Sequence, residues 1–405
     1  MNRNCLNYFV ALVWIAFSVS PLMAASSSIV EIKSRGFVQT NVPVSLILND
    51  KLSLSDLAES EEPNAPRIPT QFKGGHLTFV LPHIAAKDTK RFYLVPKKNG
   101  TSTLLRIVAS NETLSINQGA ALRFQYAVGN GVLPGSHVPE LFRRAGFIHP
   151  LRTAKGQVIT DSYANNHLHH HGLWFAWTKT VFDGRQPDFW NMGQSKGSVR
   201  FTGLADAWAN AVTAGFEADY EYVDKTSRPE EIAMREHWIV STYNTQPTQD
   251  SYIIDFVSTH LTDNKPLSLP KYHYGGLGFR GLESWNGQKN FSILTSEGAT
   301  NRIAANGTRS RWCYMGGTTP QGMAGIVILC APENYRFPQP IRIHPDEPFF
   351  CYAPSQLGDW VIQKSEPYVS RYRFIILDGS PNQQQIENWW RDFAFPPVAS
   401  LVIKP

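Results

Sequence analysis

Along most of the chain, polar and apolar residues alternate in short runs, and Gly, Pro, Asn or Asp breaks each run. A period of two sends successive side chains to opposite faces of an extended strand, so this pattern predicts half-buried antiparallel β structure. Predicted strands include Ile29–Lys33, Val44–Leu48, His76–Leu81, Phe92–Val95, Thr103–Ala109 and Leu122–Val128. They continue with Ser198–Thr202, Phe216–Val223, His237–Tyr243 and Tyr252–Leu261. Their spacing suits packed sheets rather than alternating β/α units. A helical period is clear over Gln383–Phe393, where Ile386, Trp389, Trp390 and Phe393 share one face. Ser380 or Asn382 caps that helix, and Pro396 and Pro397 end it.

The strands become longer and more aromatic after Asn117–Ala121, while a charged, proline-containing stretch, Glu59–Pro69, interrupts the earlier part. We therefore expect an N-terminal β module over 26–116 and a larger β domain over 117–405. Residues 1–25 read as a secretory signal peptide: Arg3, an apolar stretch Tyr8–Val19, then Pro21 and the small residues Ala24, Ala25 and Ser26. That stretch is short for a span of about 20 residues, and no later segment is apolar enough to cross a membrane. The expectation is an exported protein, periplasmic or secreted, with no stable membrane insertion once the leader is gone. Losing the leader removes Arg3 and no acid, taking the formal charge from +5 to +4. With no Lys/Arg stripe interleaved with aromatics, nucleic acid is not an expected partner. Cys313, Cys330 and Cys351 match no zinc spacing, and either one disulfide or three small buried hydrophobes fits them.

Of the chain's 12 histidines, four lie in five consecutive positions: His167, His169, His170 and His171. Imidazole exchanges protons near neutral pH and binds metals, so this density points to a site. If the run is extended, His167, His169 and His171 face one way and His170 the other. Three imidazoles on one face would suit zinc, nickel or iron; they would equally suit sugar hydroxyls, with one as acid or base. Asp161 precedes the run; Asp183, Arg185, Asp188 and Trp190 follow in FDGRQPDFWN, where Asp183–Gly184 reads as a hairpin turn. Arg235 and His237 share parity, as do Ser258 and His260, and His273, Tyr274 and Arg280 surround the glycines of HYGGLGFR. GQSKG fits a nucleophile motif around Ser195, but a strand-like run follows where that motif needs a helix.

The segment HPLRTAKGQVITDSYANNHLHHHGLWFAW, His149–Trp177, resembles a bacterial family of unassigned function, DUF6807. HYGGLGFR at 273–280, RWCYMGG at 311–317, GIVILCAPENYRFP at 325–338 and SRYRFIILDG at 370–379 extend the likeness. Members are often labelled PmoA after a methane oxygenase subunit, but that subunit crosses the membrane several times and this mature chain has no span. The order of motifs is similar to galactose-mutarotase-like β-supersandwich proteins, which implies a mainly β fold with a sugar-sized cleft. The family usually carries Arg where this chain has His171 and an acid where it has Asn166. Arg has no lone pair to give, so position 171 is not an obligatory metal ligand and is expected to contact substrate.

The resemblance implies a carbohydrate substrate and a lyase or hydrolase using His-based proton transfer, without a cofactor. His169 or His170 would move the proton, with His167 beside them. His171, Arg235, His237, His260, His273 and Arg280 would hold the sugar, and Trp174, Trp177 and Trp190 would form or support the walls of the cleft. Two alternatives stay open. One is a non-catalytic carbohydrate-binding protein. The other is a metal-dependent enzyme, oxidoreductases included, with a divalent ion on His167, His169 and His171. The sequence does not speak to oligomeric state.

Overall fold

In the strand Ser251–Leu261 every even-numbered residue from Tyr252 to His260 is buried, and the odd-numbered ones are only partly so. Its neighbour Glu231–Tyr243 buries Met234, Glu236, Trp238, Val240 and Thr242 in the same rhythm. The alternation seen in the sequence thus becomes one face of a sheet pressed on a core and one face turned outward. A computed structural model describes residues 28–48, 55–97, 104–244 and 250–403 of the chain. The expected leader lies outside them.

Two eight-stranded sheets with antiparallel strand pairing form the main body. The front sheet runs, in spatial order, Ile341–Ile343, Phe349–Tyr352, Gly276–Arg280, Leu173–Ala176, Phe147–Leu151, Ala121–Ala127, Thr113–Gln118 and Leu105–Ala109. The back sheet runs Gly197–Ala209, Thr213–Asp224, Glu231–Tyr243, Ser251–Leu261, Tyr368–Asp378, Gly322–Cys330, Trp312–Thr319 and Phe291–Thr295. Between them lies one aromatic-rich core that includes Phe124, Tyr126, Phe175, Trp177, Tyr220, Trp238, Phe256 and Phe279. The mainly β sandwich expected from the sequence is therefore present. Among the described residues no helix is long and apolar enough to cross a membrane.

The C-terminal helix, Gln383–Ala394, is capped by Asn382, whose side chain accepts from the Gln385 N–H at 2.8 Å. Ile386 and Trp390 seat it on the outer face of the back sheet, against Trp312, Tyr314, Val327 and Leu329. The N-terminal module is a small sandwich with its own core around Val30, Leu46, Leu77, Phe79 and Phe92. Its five-stranded sheet includes the last strand of the chain, Val398–Ile403, paired with Ser28–Lys33. Leu105–Ala109 and Thr113–Gln118 pair into the front sheet. The division expected at 116/117 thus falls within the front sheet's strands, and the chain's end returns to the first module. Cys313, Cys330 and Cys351 are free, buried thiols, as the small-hydrophobe alternative had it.

The core between the sheets holds a polar knot. Glu236 is 2% exposed and accepts from Tyr222 Oη at 2.7 Å, Ser258 Oγ at 2.5 Å and Trp238 Nε1 at 2.5 Å. His260 Nε2 stands 3.3 Å from the same carboxylate. Burial pushes the Glu236 carboxyl up to about 7, against the pull of those hydrogen bonds and of Arg144, and drives His260 down to about 3. A carboxyl whose folded-state pKa is raised stabilises the fold fully below its unfolded value. It loses that contribution as pH rises toward 7. Glu236→Gln keeps the shape and removes the titration. We expect its unfolding free energy, relative to wild type, to rise between pH 5 and pH 8 by on the order of 2 kcal/mol in denaturant titrations. A difference that stays flat with pH would show that Glu236 does not titrate in this range.

Candidate functional site

The histidine run lies in the loop that enters the front-sheet strand Leu173–Ala176, and it is not extended. Consecutive tight turns fold it: the His167 N–H donates to the Ala164 carbonyl at 2.8 Å, and the His170 N–H donates to the His167 carbonyl at 2.8 Å. The Tyr163 N–H closes the loop on the His170 carbonyl at 2.9 Å, with Tyr163 in the left-handed region at φ 55°. Gly172 ends the loop where a Cβ would meet the Ile148 carbonyl oxygen at 2.2 Å, so no larger residue fits there.

Turns place residues three apart beside each other, so His167 and His170 stack with centroids 4.6 Å apart and planes 11° from parallel. His170 is then sandwiched against Phe349, 4.7 Å away on its other side, and Trp174 lies 5.4 Å off. His169 meets both, edge to face, at 5.5 Å from His167 and 4.8 Å from His170. The alternation expected of an extended run, with His167, His169 and His171 on one face, is corrected by these turns. His171 points elsewhere: it is fully buried, stacks on Phe147 at 4.4 Å, and places Nδ1 3.0 Å from Ser162 Oγ.

Glu347 completes the cluster, from the loop that enters the strand Phe349–Tyr352. Its Oε2 lies 3.1 Å from His167 Nδ1 and accepts from Arg280 Nη1 at 2.5 Å. Its Oε1 accepts from Asn166 Nδ2 at 2.6 Å, and Arg280 Nη2 donates to Asn166 Oδ1 at 3.1 Å. His344 Nδ1 accepts the Glu347 N–H at 3.0 Å and fixes that turn. Burial pushes Glu347 upward, but the contact with His167 and the charge of Arg280 outweigh it and hold the carboxyl at about 2. Burial acts the other way on the imidazoles. It lowers His169 to about 4 and drives His170 and His171 well below the ordinary histidine value. The cluster therefore sets neutral His169 and His170 rings beside a fixed carboxylate.

Other expected site residues lie apart. Arg235 and His237 face outward from the back sheet, opposite the core, where Arg235 pairs with Glu221 and Asp263 at 2.8 Å and His237 Nδ1 lies 2.8 Å from Asp219. His260 is between the sheets, in the polar knot. His273 is on a loop beside a separate cavity with Lys271, Tyr272, Arg342 and Gln356. Arg280 is 0% exposed and committed to Glu347 and Asn166, so it supports the cluster rather than reaching a ligand. Trp174, Trp177 and Trp190 are at most 1% exposed. Trp174 and Trp190 pack against His170 from the outer side of the front sheet, and Trp177 lies in the core, so none offers an open wall. Ser195 ends a short turn before the strand Gly197–Ala209, and no helix follows it. Asp183 and Gly184 form the expected hairpin turn, both at positive φ. Glu347 and His344 were not legible in the sequence, since HPDEPFF carries no motif and lies far along the chain from the run.

Residues 111–391 match the model of a family of unknown function, DUF6807, and the chain belongs to that family. No curated protein matches it. Among solved structures, it is similar to an α-mannosidase from Enterococcus faecalis V583, at 10% identity and TM-score 0.47, over 94% of this chain and 46% of that one. It is also similar to an α-galactosidase from Lactobacillus brevis, at 11% identity and TM-score 0.23, over 70% of this chain and 40% of that one. The chain spans less than half the length of either.

Removing the anion from a buried pair strands the remaining charge. Glu347→Ala should therefore cost about 3 kcal/mol of unfolding free energy, the low end of the range for breaking such pairs because Arg280 keeps its hydrogen bond to Asn166. Glu347→Gln, which keeps an acceptor for Arg280, should cost less. Urea unfolding of the two variants measures this, and a loss below about 1 kcal/mol for Glu347→Ala would show that Arg280 finds its compensation elsewhere.

Proposed function

We propose that this DUF6807 protein is a carbohydrate-active enzyme that moves a proton with an imidazole of the loop 161–171. The observation that carries the reading is the meeting of His167, His169 and His170 around Glu347, at the end of a rigid sheet. His169 is the proton carrier. It is half-buried, and among the described residues no hydrogen bond ties up its ring. Burial keeps it neutral and so ready to accept a proton. Glu347 orients His167 and offsets the charge of Arg280. Held ionised, it cannot act as a general acid, so it does not supply the protonated carboxyl that two-carboxylate glycoside hydrolysis needs. The acid and base roles fall to imidazole, which favours elimination from an acidic sugar over hydrolysis.

A sugar fits the surroundings. A polar cavity of about 260 Å³ lies on the same side of the front sheet, lined by Thr178, Lys179, Asp188, Asn191, Tyr272 and Tyr274. The Tyr274 ring packs 5.4 Å from Trp190, which in turn packs 6.3 Å from His170. Hydroxyl, amide and phenol groups around one hollow suit a polyhydroxylated ring, and Lys179 suits a sugar carboxylate. With its leader removed, the enzyme would work outside the cytoplasm on oligosaccharides or modified sugars found there.

His169→Gln should lower turnover by about 10²–10⁴-fold, the usual worth of a positioned acid or base, while leaving thermal stability and sugar binding near wild type. Arg235→Ala and His237→Ala, on the far face of the back sheet, should leave turnover unchanged. Assays over a glycan panel that includes uronate-containing oligosaccharides test this. Full turnover in His169→Gln would remove that residue from the mechanism. Binding without turnover in the wild type would make the protein a carbohydrate-binding module.

A further inference from the structure

We infer that His167, His170 and Glu347 form a binding site for one divalent transition-metal ion. One ligand atom from each of the three lies within 4.8 Å of the others. A tetrahedral ion with bonds of about 2.0–2.2 Å sets its donors about 3.4 Å apart, so the three atoms must draw together, and the half-buried His167 ring must turn out of its parallel stack on His170 to aim a lone pair at the ion. The donor set, two imidazoles and one carboxylate with positions left over, is the kind that holds zinc or iron(II) with room for water or substrate.

A second observation points the same way. His170 is 4% exposed, and its Nδ1 is buried with no hydrogen-bond partner. Buried polar atoms without partners are rare, and each calls for an explanation such as an ion or a water. The site also has the supporting layer that ligands need. Asn166 and Arg280 hold the carboxylate by one hydrogen bond on each oxygen, which uses two of its roughly four lone-pair positions. Phe349 and Trp174 pack the His170 ring in place. His171, which the sequence placed among the ligands, is replaced by Glu347, because the turns bring His170 to the cluster and aim His171 at Ser162. The ion site stands on this geometry; its use in sugar chemistry rests on the reading above, with His169 left as the free imidazole beside it.

The test is metal binding itself. Full-length wild type, dialysed against buffer with zinc and then without it, should retain close to one ion per chain by elemental analysis. Cobalt(II) in its place should give visible absorption bands of a nitrogen–oxygen site. His170→Ala and Glu347→Gln should weaken zinc affinity by at least about 100-fold in calorimetric titration, as loss of one ligand of three demands. His169→Gln and His237→Ala should bind as wild type does. Because His170 is buried, its variant is read only if its circular dichroism and melting temperature match wild type; otherwise His167→Gln, at a half-buried position, takes its place. Zinc affinity that is equal in wild type, Glu347→Gln and His167→Gln would overturn the inference. Two further outcomes separate it from the proposed function. Wild type that retains no zinc after dialysis yet turns over a glycan sinks the ion site and leaves the enzyme. A stoichiometric ion with no sugar bound or turned over sustains the ion site and sinks the carbohydrate reading.

Discussion

The candidate site depends on Arg280. Its backbone N–H donates to the Gly172 carbonyl at 2.9 Å, and its carbonyl accepts the Asp161 N–H at 3.1 Å, so one residue pins both ends of the histidine loop. Its guanidinium is fully buried and spans Glu347 and Asn166, one at the mouth of a neighbouring strand and one inside the loop. A buried guanidinium is tolerated only where an anion and hydrogen bonds replace its hydration. That requirement fixes Glu347 in place, and Glu347 in turn faces His167. Packing alone would not select this loop conformation, because the loop is short of apolar side chains and rich in rings that also carry polar atoms.

The four histidines of the run then divide by what each can find. His167 meets the carboxylate; His170 fills a slot between His167 and Phe349; His171 goes to the Phe147 ring and the Ser162 hydroxyl. His169 is left without a hydrogen-bond partner among the described residues. Burial favours the neutral form of His170, whose ring stacks on His167 with centroids 4.6 Å apart. His169 and His170, held neutral by burial, keep a lone pair free for a proton or a cation, though the same burial makes them weaker bases.

The sheets were readable because a period of two survives wherever one face is buried, as in Tyr252, Ile254 and Phe256. The C-terminal helix was readable from its cap and its apolar face. Parity, however, does not say which face meets the core. Arg235 and His237 share a face, as their spacing required, but it is the outer one, because Met234, Glu236 and Trp238 take the inner. The tryptophans were expected to form or support the walls of a cleft and proved to be filling: Trp177 occupies the core between the sheets, and Trp174 and Trp190 pack with His170 on the outer side of the front sheet. Glu347 was hidden for a different reason. The turn that presents it pairs with strands far away in sequence, and only the register of Phe349 against Arg280 brings the two together.

The charges of the cluster limit what it can do. Arg280 and Glu347 cancel, so the group as a whole is neutral while its rings are neutral. A proton or a metal ion entering beside His167 adds positive charge within reach of Arg280, and Glu347 is the anion in direct contact with both. Each visitor must therefore share that carboxylate with Arg280. An anionic ligand arriving at the same place supplies the missing negative charge itself. If the substrate is the carboxylate-bearing sugar proposed above, it would bind more readily with the cluster charged than with it neutral, and its binding would favour uptake of a proton or an ion there.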